Sequence, residues 1–575
     1  MPSISRRRLL QTGAGAALAF AGYAVNAASK STAEQNIFLP LVSLEADNHS
    51  GSVPALEVIA MHRMAYGPRP GDLERVRQIG FNAYVDEQIA PVDDDDSELH
   101  TRLAQATLYI AYSAEGTYPD TEEQRPLRYL NAGLNDLWGL NNWEIEIPWE
   151  ERIRPLEEVR VATWLRAIYS KWQLREVLVE FWHNHFNINA ENDDTRIMVT
   201  WPIYDREVIR ANALGNFRTM LEAVAQSTAM LAYLNNAESQ ASPANENYAR
   251  ELFELHTMGA MHYLNAQYEH WRDVPGAIEG NPIGYIDDDV YEAARAFTGW
   301  SVADGRWDAR VELPNTGEFF YVDGWHDHYQ KRVLGHELES HQAPLADGRR
   351  VLDLLAAHPA TARYICGKLC RRLVADEPSP ALIERIAQVW IAHRDAPDQI
   401  AQTVRAILLD AEFARTWGQK VRRPWEQAIA FLRALNTDFS PTVDASYLLQ
   451  ERGYQLFAWP APNGHPDIAG YWLSTNVTLG RWTLPINLTQ DWAGMPTLDL
   501  WAQTPVIART AAQIGDYWIE RLLGRSLSPA DRTVVIGLLA DGDVHLPLDR
   551  TDPDVSDRLR AFVTLIAMTP AFQER

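Results

Sequence analysis

Charged and polar side chains crowd one predicted helix near the middle of the sequence. At the roughly 3.6-residue period of an α-helix, four of them fall within one narrow arc: Asn247, Arg250, Glu251 and Glu254. They form either a solvated face, in which Arg250 pairs with Glu254, or the polar wall of a cleft. In a cleft, one carboxylate would act as general acid or base, and Arg250 would set its pKa or bind an anionic group. We predict that all four are catalytic residues.

Two histidines lie two residues apart at the end of another predicted helix. If that helix unwinds at Asn184, His183 and His185 point the same way, as in an extended pair of metal ligands. In an intact helix, His185 instead extends the apolar face and His183 shares a polar face with Glu176 and Glu180. The unwound form predicts one divalent metal ion at His183 and His185. The intact form predicts a core histidine and a surface ion pair.

A third segment, His326-Asp327, lies in a predicted loop, where a general-base or metal-binding role is sterically easy. Burying such groups costs several kcal/mol unless they pair with one another. We therefore expect His326 or Asp327 to meet Glu251 and one of the two histidines in a single cleft. The sequence contains no phosphate-binding glycine loop and no dinucleotide fingerprint.

The elements that must position these residues are helices. Apolar residues recur at helical spacing over 155–185, 204–235, 243–259, 286–300, 349–375, 380–414 and 422–436. Few stretches alternate as strands do, and the best hairpin candidate is 311–322. We predict an all-α fold, mostly helical, with at most a minor β-hairpin.

Long loops rich in aromatic residues separate the predicted helices. They span 113–150, 260–286, 301–348 and 455–500, and they carry Trp143, Trp307, Trp459 and other tryptophans. Aromatic rings with polar edges suit carbohydrate ligands, although tryptophan also anchors large loops. A polysaccharide is therefore one predicted partner.

The charge balance excludes some partners. Asp and Glu total 77 against 52 Lys and Arg, which gives a formal net charge of -25. A phosphate backbone would repel such a chain, so no nucleic-acid partner is expected. No apolar run after residue 27 approaches the roughly 20 residues that span a bilayer, so no transmembrane segment is expected in the mature chain.

The first residues predict export. Arg6, Arg7 and Arg8 precede a weakly apolar stretch, and Val25-Asn26-Ala27 offers small residues for a signal peptidase. Paired arginines at this place are typical of the twin-arginine (Tat) pathway. We predict a Tat signal peptide at 1–27, a linker at 28–53, a main helical domain at 54–436 and a C-terminal loop and helical region at 437–575 packed on it. The expected location is periplasmic or extracellular.

Several long motifs, in one order, carry a family resemblance. They are Phe181-Trp182-His183-Asn184-His185-Phe186, then residues 245–259, residues 288–300, His326-Asp327, His358-Pro359 and Lys368-Leu369. From about residue 56 onward the sequence closely resembles the family catalogued as domain of unknown function 1800. The resemblance implies export, a helical body and a gene neighbour that encodes a sulfatase-like exported protein. It implies no reaction.

Three functions fit these observations. The first is a hydrolase acting on an extracellular polymer through its carboxylates and histidines. The second is a non-catalytic export or cell-envelope assembly partner of another exported protein, such as the sulfatase-like one. The third is a metal- or redox-cofactor protein. An enzyme should gather the predicted residues around one pocket, whereas a binding protein should expose an apolar patch.

The export prediction can be tested directly. Replacing Arg6 and Arg7 with lysine should leave the precursor in the cytoplasm, because the Tat pathway reads the paired arginines. Cell fractionation and immunoblotting measure this, with the neighbouring Arg8→Lys variant as the matched control. Normal export of the double variant would instead indicate a general secretory signal.

Overall fold

The computed structural model describes residues 53–308, 311–490, 498–540 and 542–575, and most of them are helical. The predicted signal peptide and all but the last residue of the predicted linker lie outside these ranges. The α-helices are α1 Leu56–Arg63, α2 Asp72–Ile79, α3 Phe81–Gln88, α4 Ser97–Gln105, α5 Leu134–Trp138, α6 Trp149–Tyr169, α7 Gln173–His185, α8 Thr195–Val199, α9 Trp201–Ile203, α10 Phe217–Gln226, α11 Thr228–Tyr233, α12 Glu246–Glu251, α13 Asp287–Ala296, α14 Ala346–Ala357, α15 Pro359–Leu373, α16 Pro380–Ala392, α17 Gln399–Leu408, α18 Ala411–Arg415, α19 Pro424–Leu435, α20 Val443–Gln450, α21 Ala469–Trp472, α22 Thr475–Asn487, α23 Leu500–Gln503, α24 Ala511–Leu523, α25 Pro529–Ala540, α26 Pro553–Met568 and α27 Pro570–Gln573. The prediction of a mostly helical fold is confirmed.

Short antiparallel pairs supply the β-structure of the described residues. The strands are β1 Thr107–Tyr112, β2 Thr121–Pro126, β3 Trp300–Asp304, β4 Trp307–Asp308, β5 Val311–Glu312, β6 Asn315–Tyr321, β7 Lys331–Val333 and β8 His336–Leu338. They pair as β1–β2, β3–β6, β4–β5 and β7–β8. The predicted hairpin within 311–322 is wrong, because β5 and β6 pair with the preceding strands β4 and β3 rather than with each other.

Helices α6 and α19 pack against each other in the core. Every residue of α19 is buried, which is expected of a helix that is surrounded by others. Its Trp425 packs edge-to-face against Trp164 of α6, with ring centroids 4.8 Å apart. Trp164 also contacts Phe439, with ring centroids 5.7 Å apart. One contiguous apolar core extends from Val58 to residues of α26 and α27.

Segments distant in sequence close this core. The imidazole Nε2 of His62 in α1 lies 3.2 Å from the carbonyl oxygen of Leu523 in α24. Arg521 of α24 donates to the carbonyl oxygen of Ala434 at 2.8 Å. The C-terminal helices therefore pack against the first helices of the body. None of the helices in the described ranges combines the length and apolar character that crossing a bilayer requires.

Two π-helices interrupt segments predicted as continuous α-helices. They span Tyr204–Ile209 and Leu252–Thr257, and we name them the first and the second π-helix. The second π-helix continues α12, which begins at Glu246 with Asn245 as its N-cap rather than at the predicted residue 243. A π-helix widens the helical turn and often marks a functional site. Both π-helices contact the end of α7, where His183 and His185 lie.

A buried cluster of ionised side chains joins α7, α15 and α19. We call its members, Glu180, Arg372, Arg423, Glu426 and Arg575, the arginine–glutamate cluster. Arg423 donates to Glu180 at 2.7 Å and to Glu426 at 3.2 Å. Arg372 also pairs with Glu426, and Arg575 reaches it at 2.8 Å. Burial alone would raise the pKa of Glu426, but the three arginines hold it well below its usual value.

Removing one partner from this cluster should destabilise the protein strongly. We expect Glu426→Gln to lower the free energy of unfolding by about 3–5 kcal/mol, because it removes one of the two carboxylates that neutralise three buried guanidinium groups. The exposed pair Arg363–Glu384 provides the control, and Glu384→Gln should cost less than about 1 kcal/mol. Thermal and urea unfolding of both variants measure the difference. Equal losses would contradict the role given to the cluster.

Candidate functional site

Helix α7 continues through Asn184 to His185, so the helix does not unwind between the two histidines. Two residues along an α-helix turn by about 200°, and the two imidazoles accordingly have separate partners. His183 Nε2 lies 3.0 Å from Asp205 Oδ1 in the first π-helix. His185 Nε2 lies 3.1 Å from the carbonyl oxygen of His256 in the second. The extended pair on which the metal prediction rested is not formed.

The metal prediction for His183 and His185 gains no support from the surroundings. Within the ranges that the structure describes, no group of three or more histidine, cysteine, aspartate or glutamate residues could hold a metal ion. His183 is instead enclosed by aromatic rings, with the Phe457 centroid at 4.7 Å and the Trp201 centroid at 5.6 Å. It is a buried histidine bonded to Asp205, not the surface ion pair of the intact-helix alternative.

His185 takes part in a second buried contact that the sequence did not indicate. Its Nδ1 lies 2.8 Å from Nζ of Lys368 in α15. Burial, together with Lys368, holds the pKa of His185 well below its usual value. The neutral ring therefore donates through Nε2–H to the His256 carbonyl and accepts from Lys368 through Nδ1.

The predicted polar arc is divided where α12 passes into the second π-helix. Arg250 pairs with Glu246 and with Asp287, at 3.2 Å each. The predicted pair of Arg250 with Glu254 is therefore wrong. That prediction assumed one regular α-helix that continues beyond Leu252. Asn247 is exposed, and its side chain donates to the Leu234 carbonyl at 3.2 Å.

Glu251 and Glu254 remain neighbours on this segment, and neither forms an ion pair within the described residues. Both are half-buried, and in the described part of the chain neither carboxylate has a hydrogen bond or an ion pair. Burial raises the pKa of Glu251, and the charge of Glu254 raises it further, while Arg250 opposes this effect. Glu251 therefore loses its proton at a higher pH than an ordinary glutamate does.

This pair contrasts with the fully buried carboxylates of the described ranges, each of which has a hydrogen-bond partner. Examples are Glu157 with Arg160, Glu158 with Arg154, Glu176 with Arg210, Asp205 with His183, and Asp289 with two backbone N–H groups. Such pairing offsets the cost of burial. The absence of pairing at Glu251 and Glu254 calls for a functional explanation.

Tyrosines and an aromatic loop surround the two carboxylates. Burial and Glu251 raise the pKa of Tyr233 to about 12, and burial and Glu254 raise that of Tyr364 to about 12. The Tyr233 hydroxyl donates to the Pro460 carbonyl at 3.2 Å. The loop that contains Pro460 also carries Trp459, which is half-buried. Tyr233 therefore links the surroundings of Glu251 to this loop.

Asn184 fastens this loop to the end of α7. Its side chain donates to the carbonyl of His465 at 2.9 Å and accepts from the His465 N–H at 2.6 Å. Gly464 has a φ of +71°, and a Cβ there would lie 2.2 Å from the Asn184 carbonyl oxygen. The motif that suggested metal binding thus holds a loop in place through its asparagine.

His326 and Asp327 belong to another network. His326 Nε2 lies 3.2 Å from Asp347, which also accepts from buried Lys331 at 2.7 Å. Asp327 pairs with Arg295 at 2.7 Å. In the described ranges, no hydrogen bond or ion pair joins this network to Glu251, Glu254, His183 or His185. His326 and Asp327 are thus committed to partners of their own, and the unpaired carboxylates are the stronger candidate site.

Replacing an unpaired carboxylate with a neutral amide should have a measurable effect on the stability of the protein. Glu251→Gln should leave stability unchanged or raise it by roughly 0.2–0.5 kcal/mol, the magnitude for like charges one helical turn apart. Because the pKa of Glu251 is raised in the folded state, protonated Glu251 contributes to the stability of the protein. This contribution is complete below the unfolded-state pKa near 4.5 and is lost as the pH rises through the folded-state pKa. The gain from Glu251→Gln should therefore be larger at pH 8 than at pH 4.

Melting temperatures at the two pH values measure this gain. Glu246→Gln is the matched control on the same helix, because Glu246 has Arg250 as a partner. That control should show no gain. A marked loss of stability in Glu251→Gln at pH 8 would show that Glu251 has a stabilising partner and would contradict the assignment.

The comparison with known families agrees with the resemblance in the motifs. The family model described as "Protein of unknown function (DUF1800)" matches residues 59–574, nearly the whole chain. Neither the curated proteins nor the solved structures gave a match. The match from residue 59 to residue 574 includes α7, both π-helices and α15, and so the chain belongs to the DUF1800 family of proteins of unknown function.

Proposed function

We propose that this protein is an exported hydrolase that cleaves an extracellular polymer, a polysaccharide by preference, at Glu251 and Glu254. The observation that carries the proposal is this pair of half-buried carboxylates, neither of which has a hydrogen bond or an ion pair within the described residues. Glycoside hydrolysis uses two carboxyl groups, one as general acid with a raised pKa and one as base or nucleophile.

The proposed roles follow from the charges. Glu251, with its raised pKa, donates a proton to the leaving oxygen of the glycosidic bond. The Glu254 carboxylate activates water or attacks the sugar carbon. Trp459, half-buried, and Tyr471, 42% exposed with its ring 6.0 Å from that of Trp459, offer aromatic faces for sugar rings. Arg250 pairs with Glu246 and Asp287 and so holds the start of the segment that carries the two carboxylates.

A second function has an observation of its own. Apolar side chains are exposed in the C-terminal region, where Ile507 is 85% exposed, Leu546 60% and Leu538 57%. The segments of Ile507 and Leu546 are joined by the Leu548 N–H, which donates to the Arg509 carbonyl at 2.8 Å. Exposed apolar groups suit a protein partner. The alternative is therefore a non-catalytic assembly partner of a co-exported sulfatase-like protein, in the periplasm or outside the cell.

Activity of the purified mature chain on a panel of polysaccharides decides between the two. Release of reducing ends is expected from wild type, and Glu251→Gln and Glu254→Gln should lower kcat by about 10²–10⁴-fold, the usual contribution of general acid–base catalysis. Activity that needs protonated Glu251 should decline as the pH rises, and Glu251→Gln should lose that limb of the profile.

The control variant Glu246→Gln should retain wild-type kcat, because its carboxylate only pairs with Arg250. Full activity of both carboxylate variants would overturn the proposed roles. A wild-type protein that cleaves no polymer, yet binds the sulfatase-like protein through the surface around Ile507, would favour the assembly function.

A further inference from the structure

Lysine is scarce in this protein, and one lysine differs from the others. Lysines make up only a small part of the 52 lysine and arginine residues. Lys171 pairs with Asp95, Lys331 with Asp347 at 2.7 Å and Lys420 with Asp376 at 2.7 Å. Lys368 is the one lysine in the described ranges without a carboxylate at ion-pair distance. Its only hydrogen bond there is the one to His185 Nδ1, at 2.8 Å.

The imidazole orients the amine of Lys368. Because the His185 Nε2–H is committed to the His256 carbonyl at 3.1 Å, Nδ1 presents a lone pair and accepts one N–H of Lys368. The ring of Tyr364 lies on another side, with its centroid 5.5 Å from Nζ. Gly259 holds Tyr364 closely, since a Cβ there would lie 2.6 Å from its ring. The amine is therefore held in one position and half-buried.

The charges around Lys368 favour its neutral form. Burial is the largest influence and Arg371, on the same helix, adds to it, so that the pKa of Lys368 falls to about 8. Asp467, from the loop before α21, opposes this shift. The neighbouring His256 is itself uncharged near neutrality, because burial and Lys368 lower its pKa to about 3. A sizeable fraction of Lys368 is therefore unprotonated just above pH 7.

We propose that Lys368 is a nucleophilic amine that binds an aldehyde or ketone covalently as an imine. A positioned amine with no carboxylate partner is the arrangement used by lysines that form Schiff bases. The proposal concerns a different group from Glu251 and Glu254, and it requires no polymer cleavage.

The chemistry of the step balances without another reactant. The Lys368 ammonium first gives a proton to solvent. The nitrogen lone pair then forms a bond with the carbonyl carbon while the C=O π electrons move to oxygen. The nitrogen of this adduct loses a proton and the oxygen gains one, which gives the carbinolamine. Its hydroxyl is protonated and leaves as water, and the nitrogen releases its remaining proton to solvent, which gives the imine. His185 stays neutral and orients the amine by accepting its N–H at Nδ1.

Reductive trapping tests the proposal on the full mature chain. The protein is incubated with glycolaldehyde and sodium cyanoborohydride at pH 7.5, and peptide mass spectrometry measures labelling at each lysine. We expect Lys368 to be labelled at least about tenfold faster than Lys171, whose pairing with Asp95 provides the internal comparison. The rate at Lys368 should rise with pH to a plateau above about 8.

Two variants complete the test. Lys368→Arg keeps a cation but should remove the fast label, whereas Lys171→Arg should leave the Lys368 label unchanged. Circular dichroism establishes that both are folded. Labelling of Lys368 at or below the rate of Lys171 in folded wild type would overturn the proposal. Because the trapping reads covalent labelling alone, its failure would leave the proposed hydrolysis at Glu251 and Glu254 unaffected, and the reverse also holds.

Discussion

The arginine–glutamate cluster is the interaction on which the geometry of both proposed sites depends. Glu180 lies one turn before Asn184 on α7, and Arg372 lies one turn after Lys368 on α15. By bonding these two helices to Arg423 and Glu426 of α19, the cluster sets α7 and α15 at a fixed separation. That separation places Lys368 Nζ 2.8 Å from His185. Ionised groups are used here to hold helices in register, at a cost in desolvation that their mutual attraction offsets.

The same helix end serves three purposes through three adjacent residues. His183 bonds Asp205 in the first π-helix, Asn184 fastens the loop at His465, and His185 connects the second π-helix to α15. Because all three bonds leave the same turn of α7, the second π-helix and the aromatic loop are positioned from one point. The segment that carries Glu254 and the loop that carries Trp459 are therefore both attached to this helix end.

Helical class and apolar faces were predictable from the sequence, because they depend on local periodicity. Within residues 243–259, where apolar residues recur at helical spacing, Tyr248 and Leu252 are indeed buried. The π-helix at Leu252 was not predictable, since one i→i+5 bond depends on tertiary packing rather than on composition. This one change separated Arg250 from Glu254 and redirected it to Asp287. Partners 183 residues apart, such as His185 and Lys368, leave no local signal at all.

The closure of the core by distant segments has a kinetic consequence. His62, in the first helix, has its partner at Leu523, 461 residues along the chain, and Arg433 donates to the Gly67 carbonyl 366 residues away. Contacts with such large sequence separation require costly loop closure and slow the search for the native state. The first helices can therefore complete their packing only after most of the polypeptide has emerged from the ribosome. Their apolar faces stay uncovered until then. Such a chain would profit from chaperone protection during synthesis.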